Sequence, residues 1–149
     1  MREVLFRGKR LDNGEWVEGN LVFSADAEED WEAIIVPRIN SNMFTKKGAK
    51  GNLGFENWHR VDHKTVCQFT GMTDKNGVKI FDGDICRNIK SEEIVSVKWH
   101  GTMAGYVWTK RKENNKHLFD FGELFRAFDK YEVISNIFDN PELLKGGAE

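Results

Sequence analysis

The 149-residue sequence predicts a mainly β protein with one short helix. Short runs of β-branched and aromatic residues recur along the chain, and turn-forming pairs such as Asn13-Gly14, Asn76-Gly77 and Asp82-Gly83 separate them. An Asn-Gly pair favours the positive φ angles of a tight turn between antiparallel strands. Apolar residues at helical spacing form one well-defined segment in the C-terminal third of the chain. The pattern therefore indicates strands joined by tight turns.

The first 63 residues predict an N-terminal β-hairpin region. Strands are expected over residues 4–7, 16–23 and 33–36, and Pro37 closes the last of them. Residues 38–57 contain three glycines among Asn, Lys and Ser residues. We predict that these residues form a long irregular loop near the boundary between two domains.

Residues 64–149 predict a second β domain that includes the helix. Strands are expected over residues 65–69, 79–81, 85–89, 94–99, 106–109 and 132–137. Phe121, Leu124, Phe125 and Phe128 have the spacing of one helical face, and Asp120 precedes them as a cap. We therefore expect a helix over residues 120–128 that covers an open end of the β structure. A helix that binds a partner is the alternative.

Composition and charge restrict the function classes. Hydrophobic residues make up 40% and charged residues 31% of the chain, and 22 basic against 24 acidic residues give a net charge of −2. This balance excludes a membrane-spanning protein and a nucleic-acid-binding protein that relies on a global basic field. The N-terminal residues have no apolar signal core, so we expect a cytoplasmic protein whose Cys67 and Cys86 stay reduced.

One predicted surface has the composition of a nucleic-acid-binding site. Small β-barrels bind single strands by combining aromatic stacking with phosphate contacts. Trp108 precedes a basic run, and Lys98 is expected on a nearby strand, although Trp108 also fits a place in the core. The candidate nucleic-acid or partner surface comprises Lys98, Trp108, Lys110, Arg111, Lys112 and Lys116.

Two further groups suggest metal or hydrolytic chemistry. His59, His63 and Cys67 have a spacing that would align them on a helix, but the surrounding residues predict strands that separate them. Asp82 and Asp84 flank a glycine, and paired carboxylates can share a cation or divide acid and base roles. Turn formation explains the same pair, because Asp bonds nearby amides. We therefore predict no catalytic residue, no metal site and no cofactor.

Residues 70–85 form a long motif that begins Thr70-Gly71-Met72 and ends Asp82-Gly83-Asp84-Ile85. This segment resembles the signature of the YopX family of phage and prophage proteins. Residues 2–6 with 16–19, 97–99 and 133–143 are similar to other segments of that family, whereas residues 24–57 match poorly. The motif residues, for which we expect structural roles, are Thr70, Gly71, Asp74, Gly77, Ile80, Asp82, Gly83, Asp84 and Ile85.

The resemblance implies an N-terminal β region followed by a C-terminal SH3-like pseudo-barrel with a small helix. It also implies a bacteriophage or prophage origin, hence a location in the bacterial host cytoplasm, and it supplies no catalytic residue. The leading hypothesis is a non-enzymatic accessory protein that binds a protein partner or assembles with itself. The alternatives are a nucleic-acid-binding small-barrel protein and a metal-dependent hydrolase that uses Asp82, Asp84 and His59 or His63.

Overall fold

A computed structural model describes the chain except for residues 25–31, 41, 46–52, 103, 112–116, 121–127 and 146–149. The protein is mainly β, as the sequence predicts, and it divides into two units, Met1–Gln68 and Phe69–Glu149. The boundary expected from the sequence lies after residue 63. None of the described residues belongs to a helix long and apolar enough to cross a membrane.

Unit 1 is built from an antiparallel sheet and a separate hairpin. Its strands are β1 (Phe6–Lys9), β2 (Trp16–Phe23), β3 (Ala33–Val36), β4 (Met43–Thr45), β5 (Leu53–Phe55), β6 (His59–Val61) and the start of β7 (Cys67–Thr73), with a 3-10 helix at His63–Thr65. The sheet has the order β6-β3-β2-β1-β7, with antiparallel neighbours. Its core consists of Ala33, Ile35 and Val61, with Phe6, Val17, Leu21 and Val66 packed against them.

A clamped hairpin occupies part of the segment for which the sequence predicts an irregular loop. β4 pairs with β5, and the Asn42 side chain, which is 5% exposed, fixes the base of the hairpin. Its Nδ2 donates to the carbonyl oxygens of Pro37 and Asn57 at 2.9 Å each, and its Oδ1 accepts from the backbone nitrogen of Asn57 at 2.6 Å. The loop prediction is wrong here, because a clamp between distant residues has no local sequence signature.

Unit 2 contains the rest of β7 and six further strands. These are β8 (Lys79–Phe81), β9 (Asp84–Asn88), β10 (Ile94–His100), β11 (Gly105–Arg111), β12 (His117–Asp120) and β13 (Tyr131–Asn136), with 3-10 helices at Phe128–Lys130 and Pro141–Lys145. β7 pairs with β8, and the other five strands form an antiparallel sheet with the order β12-β11-β10-β9-β13. All six predicted strands of this half are present, with ends shifted by a few residues, and β12 was not predicted.

Two large aromatic side chains anchor the core of unit 2. The rings of Trp108 and Tyr131 stack with their centroids 4.7 Å apart and an angle of 24° between their planes. Burying a large apolar side chain stabilises the folded state by about 1.5–3 kcal/mol, so this pair is a major part of the core. The other buried members of the core are Ile80, Cys86, Val95, Val97 and Tyr106.

Two finer parts of the fold prediction are not confirmed. Asp120, the expected helix cap, is the last residue of β12, where it pairs opposite Trp108 in β11. Phe128 begins a 3-10 helix, and residues 121–127 of the predicted helix lie outside the described residues. Among the described strands of unit 2, no pairing joins β12 to β13, so the expected SH3-like pseudo-barrel is not confirmed.

Candidate functional site

A buried carboxylate holds the motif turn between β7 and β8. Asp74 is 5% exposed, and its Oδ1 accepts hydrogen bonds from the backbone nitrogens of Asn76 and Val78 at 2.8 and 2.9 Å. Its Oδ2 accepts a bond of 2.9 Å from the backbone nitrogen of Val133 in β13. Gly77 adopts a φ of +79° in the same turn. One side chain therefore fixes the turn and attaches it to the C-terminal strand.

The second motif turn, between β8 and β9, also depends on an aspartate and a glycine. The fully buried Asp84 accepts a hydrogen bond of 2.7 Å from the backbone nitrogen of Phe81. Gly83 has a φ of +83°, donates its N–H to the carbonyl oxygen of Val97 at 2.8 Å and accepts from the nitrogen of Ile137 at 2.9 Å. This turn is therefore joined to β10 and to the segment that follows β13.

The remaining motif residues lie in these turns or in the strands next to them. The Thr70 hydroxyl donates to the carbonyl oxygen of Ile80 at 2.7 Å, which links β7 to β8. Ile80 and Ile85 are fully buried, and Gly71 has a φ of +89°. Asp82 is half-buried, and its turn forms part of the wall of a cleft.

The cleft has a volume of about 400 Å³ and lies within unit 2. Sites for small ligands typically have volumes of about 300–1,000 Å³, so the cleft is large enough to hold one side chain or a small group. Residues of the second motif turn, of β10 and β11, and of the segment after β13 line it. These residues are Asp82, Gly83, Ser96, Val97, Lys98, Trp99, Thr109 and Ile137, and we call this site the Trp99 cleft.

The Trp99 cleft combines an exposed aromatic ring with an unpaired cation. Trp99 is 46% exposed, and its indole meets the ring of Tyr106 edge-on, with centroids 5.1 Å apart and an interplanar angle of 73°. Lys98 is exposed, and within the described part of the chain its ammonium group has no hydrogen-bond or ion-pair partner. The hydroxyls of Ser96 and Thr109, by contrast, bond to each other. Because successive side chains of a strand point to opposite faces of the sheet, the Trp99 indole and the Lys98 ammonium do not lie side by side.

The predicted nucleic-acid surface is only partly present. Trp108 is 0% exposed, so its assignment to this surface is wrong, because a ring buried in the core cannot stack on a base. Lys98 lines the Trp99 cleft. Lys110 and Arg111 are the last two residues of β11, and Lys112 and Lys116 lie outside the described residues. Trp99, which the sequence did not single out, lies near the end of β10 and is 46% exposed.

The candidate metal ligands fall on different kinds of backbone. His59 lies in β6, His63 in a 3-10 helix and Cys67 at the start of β7, so their spacing does not align them on one helical face. The buried Cys67 thiol donates to the carbonyl oxygen of Thr65 at 3.2 Å. Across the described residues, no three His, Cys, Asp or Glu side chains are grouped so that they could hold a metal ion. The hydrolase hypothesis stays a prediction.

A second cleft, of about 430 Å³, lies within unit 1 beside the 3-10 helix at His63–Thr65. Arg60, Glu32 and Asp62 among its lining residues are engaged, whereas the Lys64 ammonium has no partner among the described residues. Arg60 forms an ion pair with Glu32, and Asp62 accepts a hydrogen bond from the backbone nitrogen of Lys64 as the helix cap.

The fold and the cleft define a mainly β protein of two antiparallel units, in which two motif aspartates serve as acceptors for backbone amides and one cleft exposes a tryptophan. The chain belongs to the YopX family, because the family model described as YopX protein matches residues 5–145. This confirms the resemblance found from the motif. A similar solved structure is that of protein EF1440 from Enterococcus faecalis, which is 23% identical in sequence. The alignment covers 97% of this chain and 99% of that chain. Its TM-score of 0.58 shows that the two proteins share a fold. No curated protein matches the chain.

Proposed function

We propose that this YopX-family chain is a non-enzymatic accessory protein of a bacteriophage or prophage. It acts in the cytoplasm of the bacterial host by binding a protein partner or a second copy of itself. The observation that carries the proposal is the Trp99 cleft, where nearly half of the Trp99 side chain is exposed. The phage or prophage origin rests on membership of the YopX family.

The apolar surface of the cleft favours a binding role. Trp99 is 46% exposed, and Ile137, which lines the same cleft, is 38% exposed. A partner that covers both side chains removes apolar area from water, at about 25 cal/mol per Å² of buried area. Tryptophan is also enriched among the few residues that dominate binding energy at protein interfaces. The cleft therefore has the composition of an anchor site.

Two motif aspartates and the two hydroxyls of the cleft support a role without catalysis. Asp74 and Asp84 are buried and accept hydrogen bonds from backbone amides, which stabilises turns. The hydroxyls of Ser96 and Thr109 bond to each other and not to a carboxylate or an imidazole. A hydroxyl nucleophile needs a general base within hydrogen-bond distance, and neither hydroxyl has such a bond among the described residues.

Nucleic-acid binding is the second candidate function, and the exposed ring of Trp99 favours it, because an exposed aromatic ring can stack on a base. This candidate takes unit 2 as an SH3-like pseudo-barrel with a capping helix, for which the five-stranded antiparallel sheet is the starting point. It predicts binding of labelled single-stranded DNA or RNA that weakens steeply with salt. It also predicts that the triple change Lys110→Glu, Arg111→Glu and Lys112→Glu abolishes that binding, as measured by fluorescence anisotropy.

The test of the leading proposal uses two exposed tryptophans as a matched pair. Trp99 is 46% exposed in the cleft, and Trp58 is 50% exposed in unit 1. The tagged full chain is cross-linked and purified from host cells that carry the phage or prophage, and its oligomeric state is measured by light scattering. We expect a cross-linked partner, or a dimer, with the wild type and with Trp58→Ala, and its loss with Trp99→Ala. A monomer without any Trp99-dependent partner would contradict the proposal.

A further inference from the structure

We infer that Asn76, in the first motif turn, is a site of spontaneous deamidation. The neighbouring Gly77 backbone and water convert its carboxamide into a carboxylate, partly as isoaspartate, in which the main chain runs through the side-chain carbon. The modification falls in the turn that Asp74 holds, so it loosens that part of the motif. This inference goes beyond the proposed function and does not depend on any partner.

Asparagine is chemically labile, and an asparagine followed by glycine carries both reacting groups of this step. The Gly77 backbone nitrogen attacks the side-chain carbonyl carbon of Asn76 and forms a C–N bond, while the bond from that carbon to Nδ2 breaks. Ammonia leaves with the Gly77 amide proton, and a cyclic succinimide remains. Water then opens the ring at either carbonyl carbon, which yields aspartate or isoaspartate. Glycine favours the ring closure because it has no Cβ to obstruct the approach.

The chain contains two Asn-Gly pairs, Asn13-Gly14 and Asn76-Gly77, and their backbones are held in a similar way. Both pairs are exposed, and their glycines have φ angles of +71° and +79°. Each glycine nitrogen donates to a backbone carbonyl oxygen, at 2.9 Å in the first pair and 3.0 Å in the second. The attacking nitrogens are therefore alike, and the two pairs serve as a matched comparison.

The two pairs differ at the carboxamide, which is the group that is attacked. The Oδ1 atom of Asn13 accepts from the backbone nitrogen of Glu15 at 3.0 Å, and its Nδ2 donates to Glu15 Oε2 at 3.1 Å. Rotation of this carboxamide breaks both bonds, and the loss of ammonia breaks the second. The Asn76 side chain is exposed, and among the described residues its carboxamide has no hydrogen-bond partner. Asn76 therefore deamidates faster than Asn13.

The product of this reaction disturbs the bonds of the Asp74 carboxylate. Asp74 Oδ1 accepts from the backbone nitrogens of both Asn76 and Val78, at 2.8 and 2.9 Å. Isoaspartate adds a carbon to the main chain between these two nitrogens, so they no longer fit a single oxygen. The new carboxylate also lies two positions from Asp74, and like charges repel. Because Asp74 Oδ2 accepts from Val133, the loosening extends to β13.

The experiment ages the full chain in mildly alkaline buffer and follows both pairs by peptide mapping. Liquid chromatography with mass spectrometry separates peptides that carry asparagine, aspartate or isoaspartate at residue 13 or residue 76. We expect isoaspartate to accumulate several-fold faster at residue 76 than at residue 13. In urea, where the fold is lost, the two rates should converge, because both asparagines are followed by glycine.

Two exposed variants assign the effects to residues. Glu15→Ala removes the acceptor of the Asn13 Nδ2 bond, so it should speed the reaction at residue 13 and leave residue 76 unchanged. Asn76→Gln cannot form the succinimide, and its fresh protein should match the fresh wild type. We expect the Val78 and Val133 amides to exchange hydrogen several-fold faster in the aged wild type than in aged Asn76→Gln.

Each outcome decides a stated part of the inference. Equal rates at the two pairs of the folded chain, or a faster reaction at residue 13, overturn the assignment to Asn76. A difference of the same size in urea also overturns it, because the fold would then not set the rates. Unchanged exchange at Val78 and Val133 after modification overturns the loosening of the motif turn. No partner is captured in this experiment, so the proposed function is tested separately.

Discussion

Asp74 in unit 2 and Asn42 in unit 1 hold local structure with opposite hydrogen-bonding chemistry. Both side chains are 5% exposed, and each makes three bonds to the backbone. The Asp74 carboxylate accepts all three bonds from N–H groups. Asn42 donates two bonds to carbonyl oxygens and accepts one from an N–H group. The two side chains have nearly the same shape, so the difference lies in which backbone groups surround them.

The comparison shows that the backbone groups around a buried polar side chain decide which residue fits there, and that the size of the side chain does not. A carboxylate has only acceptor sites, whereas an amide has an acceptor oxygen and two N–H donors. Exchanging the two side chains would place donors against donors at one site and acceptors against acceptors at the other. Asp74 also ties the motif turn to Val133, 59 residues further along the chain, whereas Asn42 joins residues within 15 positions.

The largest effect is expected from Asp74→Ala. The substitution leaves three backbone N–H groups without their acceptor in a buried place, and we expect the free energy of unfolding to fall by about 3–5 kcal/mol. Urea denaturation followed by tryptophan fluorescence measures this loss. Asp129→Ala, at an exposed aspartate of the same unit, is the control and should change stability by less than about 0.5 kcal/mol. Equal effects of the two variants would contradict the role of Asp74.

Gly83→Val tests the second motif turn. Gly83 has a φ of +83°, and a Cβ atom there would lie 3.3 Å from the Ile137 side chain, so backbone strain adds to crowding. We expect a loss of about 2–4 kcal/mol, measured by urea denaturation. Gly77→Ala is the matched control, because Gly77 has a φ of +79° but open space around it. It should cost only about 1 kcal/mol from strain, and a Gly83→Val protein as stable as the parent would contradict the turn geometry.

Asn42→Asp tests the clamp at the base of the hairpin in unit 1. A carboxylate at this position faces the carbonyl oxygens of Pro37 and Asn57 and cannot donate to either. We expect a loss of about 2–3 kcal/mol, with faster hydrogen exchange at the Glu56 and Asn57 amides at the hairpin base. Asn57→Asp is the control, because its bonds to Asn42 use the backbone only. Unchanged hydrogen exchange in Asn42→Asp would show that the base of the hairpin does not depend on the Asn42 clamp.

An exposed carboxylate provides the smallest expected effect. A two-bond contact with the Arg10 guanidinium, chiefly through its hydrogen bonds, lowers the pKa of Asp12 from the ordinary aspartate value. Because the pKa is lower in the folded state, this pair stabilises the protein above the unfolded-state pKa. That contribution is lost as the pH falls through the folded-state pKa. An NMR titration of the Asp12 carboxyl carbon should show its pKa rising in Arg10→Gln, and an unchanged titration would contradict the pairing.

The turns and most strands were predictable because their signals are local. Gly14, Gly77 and Gly83 have positive φ angles at pairs that the sequence marks as turns, and the strands over residues 16–23 and 33–36 begin and end as predicted. The YopX motif was also readable, since it is one continuous segment. The Asn42 clamp was not predictable, because its partners lie up to 15 residues away and asparagine is common in loops.

The candidate site was less predictable than the fold. Trp99 and Trp108 both lie on strands rich in β-branched residues, and local pattern does not tell them apart. Trp108 is buried because Tyr131 from β13 stacks on it, and that contact joins residues 23 positions apart in sequence. Trp99 lies near the end of β10, where its edge contact with Tyr106 leaves much of the ring uncovered. Which tryptophan is exposed therefore depends on tertiary packing.

The bond from Val133 to Asp74, and that from Ile137 to Gly83, also set an order of events during protein synthesis. Translation proceeds from the N-terminus, so a nascent chain presents the complete motif long before either donor has been made. The two motif turns stay unfinished until the last part of the chain leaves the ribosome. Unit 2 is therefore completed by its final segment, and a chain that stops before residue 133 would carry the whole motif without the bonds that close it.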